Sequence, residues 1–489
     1  MLRKLLLLLV LMATASPVFG QWFVYLPHYG TATYRSNCFF VYYETDNPDL
    51  YGVNMNDLRD LWEDRFYCTS ERYTDLWPVC DPDRVIEKYT YLGEGELDIP
   101  LVRNVIGSQS GVNVSPNWRY RTPFPEDPGI DSQSPWTTPN DSLLARQWNL
   151  REQEMNYGWT SCFRKDKGRE IVIAIFDTGN QIRHPDFRDG ADHNFWINPG
   201  EDLNGDGLWT ESDFDGIDND GTGKADDGMG WNFVDNMWDP SQDDWDFAYH
   251  GTCVSGIVGA RTDNQIGTAS YGFNFLKLLS IRAGEFWYLD LEWIVPGMLY
   301  VNRLKQEYGI PHVMNMSWGG YYDPLLAWLI ECCDDNGIFL VASSGNEGAT
   351  EPKYPASDER VVSVAATDTS DHLAPFSNSG DFAAPGVSIW TTGAYWNYYN
   401  LSWEWYPISG TSAAAPQVAA LAGLLKAIAP DSSNAWVLRR MINTTKPLNT
   451  EWIDPDDIRW VRYGIIDGRA ALNIPEAHYW GEEEDEAWP

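Results

Sequence analysis

Residues 410–425 read G-T-S-A-A-A-P-Q-V-A-A-L-A-G-L-L, and this stretch decides the fold. The run of small and apolar residues continues to residue 429, and Gln417 and Lys426 are its polar interruptions. A helix that is apolar on all sides is stable only when it is buried inside the protein. We therefore predict a core helix that ends before Pro430.

Ser412 lies at the predicted start of this helix. Pro416 has no backbone N–H and is best accommodated in a first turn, so we expect the helix to begin at or just after Ser412. Gly410 gives the backbone the conformational freedom for a tight turn into this helix. Free N–H groups and the helix dipole favour negative charge at this end, which suits a nucleophile whose reaction builds an oxyanion. The alternative is a serine that only caps a core helix.

The composition is that of a long, acidic chain with enough apolar residues for a core. It has 489 residues, 43% of them hydrophobic, and a formal net charge of −37 at pH 7. This length allows one large domain and a smaller one. The negative charge argues against nucleic acid and membranes as partners, and it fits a salt-tolerant surface or cation-binding loops. We expect a monomer.

Residues 1–20 predict a secretory signal peptide. Arg3 and Lys4 form a basic start, residues 5–12 form an apolar run, and small residues precede a cleavage point after Gly20. We expect no later segment to be long and apolar enough to span a bilayer, and hence a secreted or periplasmic protein. Seven cysteines permit disulfides in that compartment and leave at least one cysteine unpaired.

Changes in composition divide the rest of the chain. Residues 21–137 are rich in Tyr, Trp, Asp and Arg and form a smaller N-terminal region, which is a propeptide or an accessory region. The Pro-, Ser- and Thr-rich stretch 115–139 predicts a linker. We place a larger domain at residues 138–475 and a solvated acidic tail at residues 476–489.

From residue 171 onward, short apolar runs alternate with helical segments. Residues 171–176 are apolar throughout, as expected for a parallel strand that is covered on both faces. This alternation predicts an α/β fold with a mainly parallel sheet, whose active site lies beyond the carboxyl ends of the strands. Later strand candidates are 276–281, 312–316, 338–342 and 361–366, and helical candidates are 289–308 and 324–336.

Four polar residues occupy positions where such a site would form. Asp177 follows the first strand, His250 opens the small-residue segment H-G-T-C-V-S-G, and Ser412 begins the core helix. A neutral imidazole can take the serine proton, while a carboxylate holds the tautomer of the imidazole and stabilises its charged form. Asn346 follows another strand candidate, and its amide can donate to an oxyanion. These residues predict nucleophilic catalysis by serine.

Six motifs, in their order along the chain, resemble those of the subtilisin-like serine peptidases. They are D-T-G at 177–179, H-P-D-F at 184–187, H-G-T-C-V at 250–254, N-M-S-W-G-G at 315–320, S-G-N-E-G at 344–348 and G-T-S-A-A-A-P at 410–416. Each motif is short, but six in this order, each in a suitable structural setting, are specific. The resemblance covers about residues 140–474. It implies a three-layer subtilisin-like fold and a serine endopeptidase with broad specificity for protein or peptide substrates.

The resemblance also implies a role for each candidate. Asp177 would orient His250, His250 would act as general base and acid, and Ser412 would attack the scissile carbonyl. Asn346 and the backbone N–H of Ser412 would bind the oxyanion. The residues that line the cleft and pair with an extended peptide would be Ser317, Trp318 and Gly319. One departure is Cys253, where family members often carry histidine, and we expect a buried small residue there.

The insert between Asp177 and His250 is dense in carboxylates and predicts a calcium site. Carboxylates at alternate positions around glycine turns suit a hard cation such as Ca²⁺, and so many like charges would repel one another without one. The candidate ligands are Asp202, Asn204, Asp206, Asp213, Asp218, Asp220 and Asp226. The resemblance adds a second possible Ca²⁺ site at Asp186 and Asn264. The alternative is a solvated acidic loop.

Two other functions are open at this point. A non-catalytic binding protein could keep the same scaffold and use a surface rich in its 25 tryptophans, although the intact set of Asp177, His250, Asn346 and Ser412 argues against it. An esterase is the other alternative. The absence of a G-x-S-x-G motif and the Asp–His–Ser order argue against that class.

Overall fold

The computed structural model describes residues 139–474 apart from 190–191, 242–248, 398–399 and 450–456, together with five strands before residue 139. The predicted signal peptide and acidic tail lie outside the described residues. The chain divides into two compact units, residues 1–75 with 83–119 and residues 76–82 with 120–489. The domain limits of 138 and 475 stay predictions.

The first unit is an antiparallel sheet. Its strands are β1 (Gln21–Leu26), β2 (Gly30–Glu44), β3 (Cys68–Arg72), β4 (Arg84–Tyr91) and β5 (Val112–Arg121). Strand β2 pairs with β1, β4 and β5, and β4 also pairs with β3. The predicted linker is therefore wrong for residues 115–121. Trp118 and Tyr120 favour a strand, and Pro116 is tolerated because the pairing register shifts beside it.

The second unit alternates strands and helices. Its strands are β6 (Ile171–Asp177), β7 (Arg188–Asp189), β8 (Asp192–His193), β9 (Gly230–Asn232), β10 (Leu276–Arg282), β11 (Gly284–Glu285), β12 (Tyr288–Asp290), β13 (Val313–Met316), β14 (Phe339–Ser343), β15 (Val361–Thr367), β16 (Gly380–Pro385), β17 (Ile389–Asn397), β18 (Asn400–Ile408) and β19 (Val461–Ile465). Its α-helices are α1 (Trp148–Glu152), α2 (Met155–Lys165), α3 (His250–Gly259), α4 (Leu291–Tyr308), α5 (Pro324–Asp335), α6 (Thr411–Ile428), α7 (Asn434–Ile442) and α8 (Gly468–Leu472).

Eight of these strands form one sheet in the order β19-β16-β15-β14-β13-β6-β10-β9, and all of its strand pairs are parallel. Strand β6 is buried along its whole length, as its apolar sequence predicts. Helix α6 packs on β6 and on β13 to β16 and also contacts α3, while α4 packs against α5. The predicted three-layer α/β fold with a mainly parallel sheet is confirmed.

Most predicted elements are present, with ends that shift by one or two residues. Helix α5 begins as expected: the Asp323 carboxylate accepts hydrogen bonds from the N–H groups of Leu325 and Leu326 at 2.9 and 3.3 Å, and Pro324 is the first helical residue. Gly337, just past the helix, has φ +76°, where glycine is favoured.

The core helix α6 begins at Thr411, so the predicted start at or after Ser412 is wrong. Pro416 therefore lies in the second turn, where its missing N–H leaves the Ser412 carbonyl without its helical donor. The Ser317 hydroxyl donates to that carbonyl at 3.2 Å, which explains why a later proline is tolerated.

Helix α6 is also the one described helix that is long and apolar enough to cross a membrane. Its mean hydropathy is 1.2, so our expectation that no segment after residue 20 meets this criterion is wrong. All 18 residues of α6 are buried inside the protein. Such burial is what the all-round apolar sequence predicts for a core helix.

An antiparallel hairpin of β17 and β18 leads into α6 and was not predicted. It packs on α3 through two threonines: the Thr391 hydroxyl donates to the Cys253 carbonyl at 2.7 Å, and the Thr392 hydroxyl to the Thr252 carbonyl at 2.8 Å. Cys253 is a fully buried free thiol, as predicted, and burial raises its pKa to about 12.

Candidate active site

Asp177 and His250 are in direct contact. Asp177 is the last residue of β6, and His250 is the first residue of α3. The His250 Nδ1 atom lies 2.6 Å from the Asp177 Oδ1 atom, and both side chains are buried. The same oxygen accepts a 2.8 Å hydrogen bond from the Thr178 N–H. This carboxylate is placed to keep a proton on Nδ1, which makes Nε2 the basic nitrogen.

Ser412 is the second residue of α6 and follows Gly410 and Thr411. Gly410 has φ +154°, a backbone region that favours glycine. The Ser412 hydroxyl donates to the Ser317 carbonyl at 3.2 Å, and the Ser317 hydroxyl donates back to the Ser412 carbonyl at the same distance. Because α6 packs against α3, the serine and the histidine are carried by contacting helices.

The Asn346 side-chain amide is hydrogen-bonded through its oxygen but not through its nitrogen among the described residues. Its Oδ1 atom accepts hydrogen bonds from the Thr411 N–H and the Thr411 hydroxyl, both at 2.9 Å. Its Nδ2 atom is buried and has no hydrogen-bond partner among the described residues. A buried donor without a partner is costly, so its presence calls for a ligand or another specific explanation. Here the orphan N–H₂ belongs to a residue tied to the start of α6.

Thr411 is a site residue that our reasoning from sequence missed. It fixes the orientation of the Asn346 amide, and its hydroxyl also accepts a 3.2 Å hydrogen bond from the Gly345 N–H. Its place directly before Ser412 was the available signal. Sequence alone does not show that a side chain on α6 reaches the loop after β14.

The residues expected to line the cleft lie just after β13. Trp318 has a fully buried side chain whose Nε1–H donates to the Phe176 carbonyl at 2.8 Å, so its ring belongs to the core. Gly319 is partly exposed, and a Cβ there would lie 2.8 Å from the Cβ of Lys353. A role of these residues in peptide binding would therefore use the backbone around residue 318 rather than the indole.

The sheet explains how distant residues meet. Strands β6, β13 and β14 are neighbours, and Asp177, Ser317 and Asn346 lie at or just beyond their carboxyl ends. Parallel strands bring these ends to one edge, where sites in open α/β sheets form.

The acidic insert contains two loops with the same hydrogen-bond pattern. The Asp202 carboxylate accepts from the N–H groups three and five residues later, at 2.9 and 2.8 Å, and the Asp218 carboxylate does the same at 2.9 and 2.9 Å. Asn204 and Asp206 each accept from the N–H two residues later at 2.8 Å. The carboxylates predicted at alternate positions are thus oriented by the turns of their own loops.

Asp213 supplies an observation that favours a cation in the first loop. Its Oδ2 atom accepts from the N–H and the hydroxyl of Thr210, at 2.8 and 2.9 Å. Its Oδ1 atom is buried and has no hydrogen-bond partner among the described residues. Asn204 lies near it, since its Nδ2–H donates to Ser212 at 3.2 Å. Oxygen donors of this kind fit Ca²⁺.

A second cluster joins Glu201, Asp220 and Asp227, each with a carboxylate oxygen within 4.8 Å of the others. Glu201 and Asp227 are buried, and no lysine or arginine among the described residues forms an ion pair with the cluster. Burial, with a contribution from the Asp220 charge, raises the pKa of Asp227 to about 8. Only Asp220 was among the ligands predicted from sequence. Asp226 instead accepts backbone hydrogen bonds from residues 215 and 216.

Asp186 and Asn264, the other predicted metal ligands, are also close together. The Asn264 Nδ2 atom lies 3.2 Å from the Asp186 Oδ1 atom. The Asp186 Oδ2 atom accepts a 2.7 Å hydrogen bond from the indole N–H of Trp405, a residue of β18. The indole of a distant strand thus donates to this carboxylate, whereas Asp202 and Asp218 accept from N–H groups of their own loops.

A buried aspartate–histidine pair, a serine at the start of a core helix and an oriented amide are the components that a serine hydrolase requires. The chain belongs to the subtilase family, whose model matches residues 168–462. It is a serine-type endopeptidase.

Two relatives, both serine proteases, agree with this assignment. The chain is 30% identical over 380 residues to the thermophilic serine proteinase of Bacillus sp. strain AK1, with 75% of each chain covered. It is 30% identical over 308 residues to thermitase of Thermoactinomyces vulgaris, which covers 61% of this chain and 88% of thermitase. A solved structure of proteases from Pseudoalteromonas arctica PAMC 21717 matches with a TM-score of 0.48 and 24% identity, covering 69% of this chain and 99% of that one.

Proposed function

We propose that Asp177, His250 and Ser412 form the catalytic triad of this endopeptidase. The observation that carries this proposal is the buried 2.6 Å contact between Asp177 and His250 Nδ1, which prepares Nε2 to accept a proton. His250 takes the proton of the Ser412 hydroxyl as Oγ attacks the scissile carbonyl. It then gives that proton to the leaving amine, and an acyl-enzyme remains on Ser412.

Deacylation uses the same residues with water as the nucleophile. His250 removes a proton from the water, the hydroxide attacks the acyl carbon, and the proton returns to Ser412 Oγ as the acid product leaves. In both halves of the reaction the carbonyl oxygen becomes an oxyanion. The Asn346 Nδ2–H₂ and the Ser412 N–H donate to it, and the buried, unpaired state of the Asn346 donor supports this role.

Peptide substrates would bind in extended form along Ser317, Trp318 and Gly319. Backbone hydrogen bonds give such binding little dependence on side chains, which fits broad specificity. The short basic start and apolar run at residues 1–20 support export to a secreted or periplasmic location. A monomer is proposed on the acidic surface charge, which disfavours self-association.

A fluorophosphonate probe tests the nucleophile directly. The full chain should become labelled, and peptide mapping should place the label on Ser412, with simultaneous loss of casein hydrolysis. If the probe labels Ser412 but the untreated enzyme does not hydrolyse casein, the enzyme has narrow specificity or its N-terminal region blocks the cleft. Absence of labelling after that region is removed would support the alternative of a non-catalytic binding protein.

We also propose that the acidic insert binds Ca²⁺ as a structural ion. Asp202, Asn204, Asp206 and Asp213 would hold it in the first loop, supported by the orphan Asp213 oxygen. Glu201, Asp220 and Asp227 would form a second position, supported by three close carboxylates that no described cation neutralises. Ca²⁺ would supply the positive charge that allows these groups to stay ionised while buried. Asp218 and Asp226 would support the loops.

Chelation should lower the thermal stability of the protein. With EDTA in place of calcium, we expect the Tm of Ser412→Ala protein to fall by at least about 5 °C, because an ion bound only to the folded state stabilises that state. Glu201→Gln should reproduce part of this loss, whereas Glu211→Gln, an exposed glutamate of the same insert, should leave Tm nearly unchanged. Equal Tm values with EDTA and with calcium, measured by differential scanning fluorimetry, would contradict the calcium proposal.

The N-terminal region is proposed to be removed by the enzyme itself. Intact-mass measurement should show that purified wild-type protein has lost residues 21–137, while Ser412→Ala retains them. If both proteins keep the region, it is an accessory domain. If both lose it, another peptidase removes it.

A further inference from the structure

The Asp186 carboxylate occupies a position where the resemblance to subtilases implies calcium, yet its surroundings do not fit a cation. The side chain is fully buried. Its Oδ2 atom accepts three hydrogen bonds, from the Trp405 indole at 2.7 Å, the Thr268 N–H at 2.8 Å and the Thr268 hydroxyl at 3.1 Å. Its Oδ1 atom accepts from the Asn264 Nδ2–H at 3.2 Å. Three hydrogen bonds on one carboxylate oxygen leave Oδ2 no free lone pair for a cation, and the side chain that faces Oδ1 is also a donor.

The orientation of Asn264 is set by its own loop. The Asn264 Oδ1 atom accepts a 3.0 Å hydrogen bond from the Ile266 N–H, so Nδ2 is the atom that faces Asp186. The atom of the Asn264 amide nearest to Asp186 is therefore a hydrogen-bond donor and not an oxygen ligand. The orientation of the Asn264 amide is therefore fixed by the Ile266 N–H, and it places an N–H donor beside the Asp186 carboxylate.

Room for the indole is created by Gly267. This residue has φ +54°, and a Cβ on it would lie 2.1 Å from the Trp405 Nε1 atom and 2.2 Å from the Asp186 Oδ2 atom. No larger residue would let the indole and the carboxylate meet. The ring of His184 packs edge-on against Trp405 at a centroid distance of 5.1 Å and fills the other side. Glycine, indole and imidazole thus form a closed, built site.

The loop around Asn264 also contacts a second buried carboxylate, that of Asp141. Asp141 accepts from the Asp263 N–H at 3.1 and 2.9 Å, and Asn140 accepts from the Gln265 N–H at 2.8 Å.

Burial raises the pKa of Asp186 to about 7, while the hydrogen bonds from Thr268, Trp405 and Asn264 favour its charged form.

We infer that the indole N–H of Trp405 takes the place of a cation at Asp186, so that this position binds no calcium. The hydrogen bond between Trp405 and Asp186 joins two segments of the candidate active site. Trp405 belongs to β18, which leads into the helix of Ser412, and Asp186 follows β6, which ends in Asp177. Four neutral donors satisfy the carboxylate, and the stability of this part of the protein is independent of calcium. Any calcium requirement then arises in the acidic insert alone.

Calcium stoichiometry tests the inference without using activity. Ser412→Ala protein is equilibrated with Ca²⁺, freed of unbound ion, and its calcium per chain is measured by atomic emission. Asp186→Asn should bind as many ions as its parent, and one ion fewer would overturn the inference. Asp220→Asn is measured beside it. A loss of calcium there tests the acidic insert separately, so failure of the calcium proposal and failure of this inference are distinguishable.

Trp405→Phe provides a second test that does not depend on Asp186→Asn folding. The variant keeps an aromatic ring but removes the N–H donor to a buried carboxylate, so we expect Tm to fall by about 5 °C, by the same amount with calcium and with EDTA. Trp403→Phe is the matched control, because Trp403 contacts His184 from the same strand without bonding to Asp186. Recovery of the Trp405→Phe loss by calcium would overturn the inference, because a cation would then be supporting Asp186.

Discussion

Replacing Ser412 with alanine is expected to lower kcat for peptide hydrolysis by about 10⁶-fold; this magnitude is the one known for subtilisin, a member of the same family. The reason is that the variant has no nucleophile, so the acyl-enzyme route is closed and only binding and oxyanion stabilisation remain. The Asp177–His250 contact of 2.6 Å does not involve Ser412 and should persist. The measurement is the initial rate on a chromogenic peptide and on casein, with calcium present.

A matched control separates loss of the nucleophile from loss of structure. Ser402→Ala removes a hydroxyl from the hairpin that leads into α6, where the Ser402 hydroxyl donates to the nearby, exposed Glu404 carboxylate at 2.6 Å. Its kcat should equal that of wild type. Both variants should keep the wild-type Tm within a few degrees, because neither removal creates a large cavity. A Ser412→Ala enzyme that retains more than a trace of activity after re-purification would contradict the proposed triad.

Replacing Asn346 with alanine is expected to lower kcat by about 10²–10³-fold with little change in KM; here too the magnitude is the one known for the corresponding asparagine of subtilisin. The Nδ2–H₂ group is buried and has no partner among the described residues, so nothing in the described free enzyme competes for it. It can donate fully only when charge develops on the substrate oxygen. Losing it should therefore affect the transition state and not the binding of the substrate.

Thr411 offers a graded test of the same geometry. Thr411→Val removes the hydroxyl that donates to Asn346 Oδ1 but leaves the backbone N–H that donates to the same atom. We expect a smaller fall in kcat than for Asn346→Ala, while Thr411→Ser, which keeps the hydroxyl, should remain close to wild type. A rise in KM with unchanged kcat in Asn346→Ala would mean that the amide binds the substrate equally in its ground state, and would remove the oxyanion role.

Local sequence patterns were sufficient for five strands of the parallel sheet and for several helices; β9, β16 and β19 of the same sheet were not predicted. Residues 171–176 predict β6 because a strand buried on both faces must be apolar throughout, and the structure buries all of it. Residues 323–337 predict α5 because a capping aspartate, a proline at the first position and a glycine past the end act through the local backbone. Such signals need no knowledge of distant parts of the chain.

Other features depend on contacts between distant segments and were missed or mistaken. The late position of Pro416 in α6 is possible because Ser317, almost a hundred residues earlier, donates to the Ser412 carbonyl. Glu201 joins Asp220 and Asp227 only through the folding of the acidic insert, so its membership in the cluster has no local signal. The β17–β18 hairpin was not predicted, and the contacts that hold it join Thr391 and Thr392 to the distant helix α3.

The sequence by itself determined the α/β alternation, the buried core helix and the order in which Asp177, His250, Asn346 and Ser412 occur. These are properties of short stretches, set by side-chain periodicity, backbone freedom and capping. The tertiary structure alone decided which atoms meet. The Thr411 hydroxyl donates to the side-chain Oδ1 of Asn346, the Trp405 indole donates to Asp186, and Glu201 lies beside Asp227. The physical reason is that hydrogen bonding and charge act over a few ångströms in space, and positions far apart along a chain come within that distance only after it folds.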